Sequence, residues 1–334
     1  MGKASVFFGA VLCVVLYTCG LSRADLSWEV VGLGQVGLHS KASAINNQGQ
    51  VVGVAEADDS AYYGFLYENG ETTTLPLTGI LINDNGQIVG GSGGTLYSYE
   101  DGQMQRLASQ ATPTAINNAG TIVGYSDYVA YPDRVAVEIR GLAKYDLGVG
   151  LNSEAAAINN QGQIVGWVPR SGQHQGFLLD GGQVTYFGSS LGDYTYAYGI
   201  NDLGQIVGWC DGQAFLYEDG VMTGLGITGH AMDINNEGQI VGYEFGGAAY
   251  FYEDGTEWHL PTLGDYRRSY ALAMNDDGWI VGYVADLPWA NGEFQAVLWK
   301  PVSEPVTPVP LPGAVLLGVL GLSYAGMKLR GRIE

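Results

Sequence analysis

The sequence predicts an all-β protein: a seven-bladed β-propeller of four-stranded antiparallel blades, its last blade closed by the N-terminal strand, with a separate short apolar helix at the C-terminus. Three observations predict it. A ten-residue unit recurs seven times, ending at Gly53, Gly90, Gly124, Gly166, Gly208, Gly242 and Gly282, at intervals of 34 to 42 residues. Periods of roughly 20–50 residues mark solenoids, propellers or arrays. Glycine supplies 52 of the 334 residues, more than twice the usual ~7%, and each interior glycine costs a helix about 1 kcal/mol. The two ends of the array are also complementary: the last unit lacks a fourth strand, and the first is preceded by a spare one.

In chain order, residues 1–24 read as a secretory signal peptide. Lys3 precedes an apolar run over 6–17, and Ser22 and Ala24 are small, so signal peptidase is expected to cut between Ala24 and Asp25. The run is too short to span a bilayer. The competing lipoprotein cut before Cys19 meets Thr18 where a smaller residue is wanted. Loss of the leader removes Cys13 and Cys19 and leaves Cys210 alone. No internal disulfide is then expected, and Cys210 reads as a small buried hydrophobe.

Residues 25–301 hold the repeats. Each unit runs apolar-Asn-Asn/Asp, then Gly two positions on, as in Ile45-Asn46-Asn47-Gln48-Gly49. Asn, Asp and Gly tolerate left-handed backbone, so this is a tight turn between strands. An Ile-Val pair follows, strongly β-favouring. The closing Gly suggests close backbone approach or a bulge, and an aromatic comes next in Tyr125, Trp167, Trp209, Tyr243 and Tyr283 but not at Gly91. A third strand, such as Phe65-Leu66-Tyr67, ends in Asn69-Gly70, Asp101-Gly102, Asp219-Gly220 or Asp254-Gly255, pairs suited to type I′ hairpin turns. Weaker fourth strands follow, as at 72–75 and 184–187. The seventh unit stops at Pro301 after its third strand, and residues 28–31 are placed to complete it. That would remove two exposed sheet edges, which a linear solenoid would leave bare.

Residues 302–312 form a Pro-rich linker, extended by composition. The segment 313–334 starts with an apolar stretch over 313–327 and ends with Lys328, Arg330 and Arg332. Those fifteen residues reach about 22 Å as a helix, short of the ~30 Å hydrocarbon core. The basic flank would stay cytoplasmic, with the repeats outside; a plain single-pass anchor is the alternative.

Val309-Pro310-Leu311-Pro312, the apolar helix and the basic end resemble the PEP-CTERM sorting signal of Gram-negative bacteria. Leu311 stands where the family name has Glu, and Leu329 and Gly331 interrupt the basic run. The resemblance implies an exosortase-type processing enzyme as a partner, an inner-membrane intermediate, and release to the cell surface or matrix. The repeats, INNxGQIVG followed by FLYExG, resemble the HAF repeat of extracellular bacterial proteins. That family implies fold and location, with no agreed activity.

Charge narrows the partners. Residues 25–301 carry 9 Lys/Arg against 32 Asp/Glu, which disfavours nucleic acid, a ligand that needs a basic face. No catalytic or cofactor motif survives its context. Gly32 to Gly37 matches GxGxxG without a following helix, and Gly90 to Gly94 matches GxSxG inside a loop. His39, His174, His230 and His259 lack metal-ligand spacing and are expected in solvated loops. Asn83-Asp84-Asn85-Gly86 and Asn275-Asp276-Asp277-Gly278 resemble calcium loops but lack the bidentate Glu, so turn chemistry is the reading, with calcium as its alternative. Among aromatics, Tyr62, Tyr63, Tyr128, Tyr131, Tyr194, Tyr196, Tyr266 and Trp289 lie outside the repeated positions. They are candidates for stacking on sugar faces from loops, whereas the repeated aromatics read as packing between blades. The expected function is a non-enzymatic, surface- or matrix-associated binder or scaffold directed at polysaccharide or a surface protein. The rivals are a polysaccharide-acting enzyme with rim carboxylates and a purely structural spacer.

Overall fold

The computed structural model describes residues 26–33, 39–57, 61–100, 102–127, 134–188, 191–286 and 293–302. The expected leader and tail lie outside the described residues, and with them Ala24, Asp25, Val309, Pro310, Leu311, Pro312, Lys328, Arg330 and Arg332. So do Tyr128, Tyr131 and Trp289. The chain divides into two compact units, Met1–Pro301 and Val302–Glu334, and only Val302 of the second is described. Among the described residues every regular element is a strand, and no helix is long and apolar enough to cross a membrane.

The strands form antiparallel meanders in which strands of one sheet pair with their sequence neighbours, except where Trp28–Gly32 joins Phe294–Pro301. Five sheets have four strands and a sixth has seven. The larger sheet is continuous because one strand, Val221–Ile234, serves two meanders. Its first half pairs with Gln213–Glu218 and its second half with Ile240–Glu244. Trp28–Gly32 pairs with Phe294–Pro301, Trp28 opposite Pro301 and Gly32 opposite Val297. The strand nearest the N-terminus therefore completes the sheet of the last repeat, and Leu33 N–H donates to Ala296 O at 3.1 Å.

Each repeat folds for the reasons its residues suggest. The turn glycines Gly49, Gly86, Gly120, Gly162, Gly204, Gly238 and Gly278 all have φ between 74° and 82°, where a side chain is strained. The hairpin pairs Asn69-Gly70, Asp219-Gly220 and Asp254-Gly255 have positive φ at both residues, as a type I′ turn requires. Gly93-Gly94 does likewise between Ser92 and Thr95, so the apparent GxSxG elbow is a hairpin turn. The first strand of every repeat is bulged, for example between Ala197 and Gly199 opposite Gly208 and Val207. The bulge leans a carbonyl onto the closing glycine. A Cβ on Gly166, Gly208 or Gly242 would collide with the carbonyl oxygen of Glu154, Tyr196 or His230.

The core is distributed between sheets. Phe177 and Ile164 pack with Val123, Val137 lies with Val89 and Leu96, and Ile240 and Tyr250 pack with Val207. One such cluster joins the last repeat to the first through Val281, Leu298, Val51 and Phe65. Cys210 is free and buried, with Thr195 Oγ1 donating to its Sγ at 3.3 Å, as its apolar reading expects.

Candidate functional site

The first two strands of each repeat form a hairpin with two chemically different ends. At the turn end lies the Asn-Asn/Asp pair. The first residue of each pair, from Asn46 to Asn275, is buried. Its Oδ1 accepts from the backbone N–H four positions on, as Asn46 does from Gln50 at 2.9 Å. Its Nδ2 donates to the carbonyl oxygen of its counterpart in the next repeat: Asn46 to Asn83, 83 to 117, 117 to 159, 159 to 201, 201 to 235 and 235 to 275, all between 2.9 and 3.2 Å. Asn275 then donates to Asn46 O at 3.1 Å.

The second residues make another cycle. The N–H of Asn47, Asp84, Asn118, Asn160, Asp202, Asn236 and Asp276 each donates to Oδ1 of the next, and Asp276 donates back to Asn47. The asparagine amides also donate to the aspartate Oδ2 atoms. A cavity of about 160 Å³ is lined by the turns of all seven repeats. The Asp84 and Asp276 carboxylates accept from N–H donors of the neighbouring repeats.

At the other end of the hairpins the position that leans on the closing glycine varies: Lys41, Thr78, Thr112, Glu154, Tyr196, His230 and Tyr270. Opposite stand Val54, Gly91, Tyr125, Trp167, Trp209, Tyr243 and Tyr283. The aromatics here join into one arc. Trp167 meets Tyr196 at 5.2 Å between centroids, Tyr196 meets Trp209 at 5.5 Å, Trp209 meets His230 at 5.8 Å, and His230 meets Tyr243 at 5.1 Å. Tyr243 meets Tyr270 at 5.1 Å, Tyr270 stacks on Tyr283 at 4.6 Å, and Phe294 bridges Tyr283 to His39. Lys41 Nζ lies 5.6 Å from the Tyr283 ring. His174, Tyr194, Tyr198 and Phe245 extend the arc outward. Tyr194 and Phe245 are 45% and 53% exposed. Of the repeated aromatics, Trp167, Trp209, Tyr243 and Tyr283 thus reach the next repeat, whereas Tyr125 lies under Arg134 of its own repeat.

Burial sets the electrostatics. It lowers the pKa of His174 and His230, holding both imidazoles neutral at neutral pH. It also lowers Lys41 and raises Tyr198 and Tyr283. Four ring nitrogens in the arc, His39 Nδ1, His174 Nδ1, His230 Nδ1 and Trp209 Nε1, are buried without a hydrogen-bond partner. Such groups are rare in native folds.

Several expectations are corrected. His39, His174 and His230 lie in strands His39–Ile45, Gln173–Asp180 and Val221–Ile234, not in solvated loops. They were illegible because each occupies a strand position that other repeats fill differently. His259 is exposed on Thr256–His259, its Nε2 3.2 Å from Glu244 Oε2 and 3.7 Å from Glu257 Oε1. Of the described candidate loop aromatics, Tyr194 and Tyr196 belong to the arc. Tyr62 donates to Glu56 at 3.3 Å, and Tyr63 and Tyr266 pack on core clusters.

Where the arc stops, a second cavity of about 210 Å³ opens. Gly91, Thr95, Gln110, Thr112 and Tyr125 are among its lining residues. Arg134 covers the Tyr125 ring at 4.3 Å and pairs with Glu154 at 3.1 Å. That pairing opposes the upward push of burial on the Glu154 carboxyl.

The family described as a protein of unknown function (DUF3466) matches residues 33–129. No curated protein matches. Among solved structures, the Pyrococcus horikoshii acylaminoacyl peptidase superposes with a TM-score of 0.52 at 14% identity, over 83% of this chain and 54% of that one. This chain spans about half the length of that peptidase. TolB from Acinetobacter baumannii superposes with a TM-score of 0.41 at 13% identity, over 84% of this chain and 97% of that one. With its succession of four-stranded antiparallel meanders, the chain is a repeat protein of the β-propeller type.

Proposed function

We propose that this chain is an exported, seven-bladed, non-enzymatic propeller that binds polysaccharide at the aromatic end of its inner hairpins. The blade count draws support from the seven Asn turns, whose side chains hydrogen-bond in a closed cycle from Asn46 through Asn275 and back. Export by signal peptidase, passage through an inner-membrane intermediate and exosortase-type processing draw on the sequences around Ala24 and Pro310. The observation that carries the binding reading is the arc itself. It offers flat apolar rings, on which a sugar's C–H face can stack, with Tyr194 and Phe245 the most exposed of them. Burial lowers the pKa of His174 and His230 in the arc, which suits an uncharged ligand.

The test is a glycan array and matrix pull-down with the purified protein, with and without calcium, alongside Tyr196→Ala and Trp209→Ala. Binding that both variants weaken supports the reading; no glycan bound by the parent overturns it. A second reading, a polysaccharide-acting enzyme, draws on Glu244 and Glu257, where burial and the Glu244 charge raise the Glu257 carboxyl. Release of reducing sugar from a bound glycan, lost in Glu257→Gln, would favour it.

A further inference from the structure

We infer that the cavity beside Gly91 is a subsite for one neutral hexopyranose ring; this rests on the polysaccharide-binding reading and assigns a ligand unit to one place on it. The argument starts from the junctions between repeats. At four of them, the residue after the closing Gly reaches the variable first-strand position of the next repeat. Trp167 contacts Tyr196, Trp209 contacts His230, Tyr243 contacts Tyr270, and Tyr283 lies under Lys41. The equivalent pair at the junction of the second and third repeats is Gly91 and Thr112. No ring fills it, and the cavity of about 210 Å³ lies between those two residues.

The missing ring is not forced by the backbone. Gly91 has no positive φ, and a Cβ there would meet only the carbonyl oxygens of Thr78 and Thr95, at 3.8 and 3.9 Å. Glycine here is therefore unlike the closing glycine Gly208, whose Cβ would strike backbone. The fold accepts a side chain at position 91, yet the space is open.

The walls suit a sugar. Tyr125, Thr95, Thr112 and Gln110 line it, residue types that carry a ring, hydroxyls and an amide, and Arg134 lies over the Tyr125 ring at 4.3 Å. Gln110 is held in a left-handed conformation, φ 55°. Its carbonyl accepts from Ser126 Oγ at 2.7 Å and Lys144 Nζ at 3.0 Å, so this wall is set before any ligand arrives. The volume falls below the roughly 300–1,000 Å³ of pockets for drug-sized ligands, which fits a single ring. A phosphorylated ligand would face a chain of net charge −20, so a neutral ring is the favoured occupant.

The test replaces Gly91 with the aromatic its sister repeats carry. Methyl glucoside, methyl galactoside and glucuronic acid are titrated into the parent, Gly91→Tyr and Thr112→Val, with oligosaccharides of any glycan the array identifies. Gly91→Tyr is expected to melt at or above the parent temperature and to bind at least tenfold more weakly. Thr112→Val, which keeps the cavity, is expected to lose several-fold and guards against a folding defect in the first variant. Undiminished binding by both variants, with Tyr196→Ala still impaired, overturns the subsite and leaves the wider reading intact. Preference for glucuronic acid overturns the neutral assignment. Absence of any sugar binding by the parent overturns both.

Discussion

The ring of second-position residues shows how single side chains decide stability. Its order is Asn47, Asp84, Asn118, Asn160, Asp202, Asn236, Asp276, so no two aspartates are neighbours. Asn47 donates Nδ2–H to Asp84 Oδ2 at 3.2 Å and to Asp276 Oδ2 at 2.9 Å. Asn47→Asp would remove both donations and set three carboxylates in a row. Hydrogen bonds to charged groups contribute roughly 1.5–3 kcal/mol each, less where exposed, so a loss of about 2–4 kcal/mol at pH 7 is expected. Denaturant unfolding at pH 7 in low and high salt checks it. The deficit should shrink in high salt, which screens the like charges, and a Gln48→Glu control should lose far less; equal losses would refute the alternation argument. Asp233 makes a separate pH prediction. It accepts from Ile234 N–H at 2.9 Å and Met274 N–H at 2.8 Å, and burial raises it from 3.8 to about 7. A raised carboxyl favours the protonated fold, so its contribution is full below about 3.8 and is lost as pH rises through 7. Asp233→Asn should therefore gain on the parent in melting temperature between pH 4 and pH 7. A constant difference across that range would show that the buried acid does not titrate with folding.

At the scale of the element, the bulge and its glycine are one device. The first-strand carbonyl sits where a Cβ of the second-strand glycine would be, at Gly124, Gly166, Gly208, Gly242 and Gly282 alike. Overpacking of this kind costs roughly 1–3 kcal/mol, and here the obstacle is backbone, so Gly208→Ala should cost at least 3 kcal/mol. Gly91→Ala, with open space, should cost under about 1 kcal/mol or stabilise by restricting the unfolded chain. Urea midpoints of the two variants decide the matter; similar losses would mean the collision relaxes cheaply. The strands, turns and this glycine were legible because their physics is local: Asn-Asp-Gly turn chemistry, Ile-Val propensity, the Asn-Gly and Asp-Gly hairpins. The sharing of Val221–Ile234 by two meanders was not, since nothing in Thr223 to Gly229 announces a break or its absence. The candidate site was legible only in part. Tyr194 and Tyr196 were found as non-repeat aromatics. Lys41, Glu154 and Tyr270 were missed and His230 was expected in a loop, because a bulge shifts register by one and decides which side chains share a face. The gap at Gly91 was visible as a departure from the repeat, but its meaning depended on which residue the absent ring would have touched.

At the scale of the molecule, the array is held at its seam by contacts that differ in sequence distance from everything else, a strand ladder and a pair of turn hydrogen bonds among them. Trp28–Gly32 adds a ladder to Phe294–Pro301, and the turn of the last repeat bonds that of the first through Asn275 to Asn46 and Asp276 to Asn47. Trp28 is also buried against Phe251 at 5.0 Å, so the short strand seals the face of the preceding repeat. The other junctions join neighbours in sequence and cost little loop entropy to close, whereas the seam closes the whole array. It should therefore be the cooperative lock of the fold. Val31→Pro, placed in Trp28–Gly32 opposite Leu298, would remove a ladder donor, since Leu33 N–H bonds Ala296 and the donors alternate along the strand, and would disturb the strand. The expected result is a loss of about 3 kcal/mol or more, with a broadened or biphasic transition as the last and first repeats open before the rest. The same substitution in an exposed fourth strand within the array, Thr73→Pro in Glu71–Leu75, should cost less and keep a single transition. Hydrogen exchange supplies the decisive readout. In Val31→Pro, amides of Arg268–Met274 and His39–Ile45 should lose protection while those of Glu154–Ile158 keep it; uniform loss across all three strands would mean that the seam is one junction among equals.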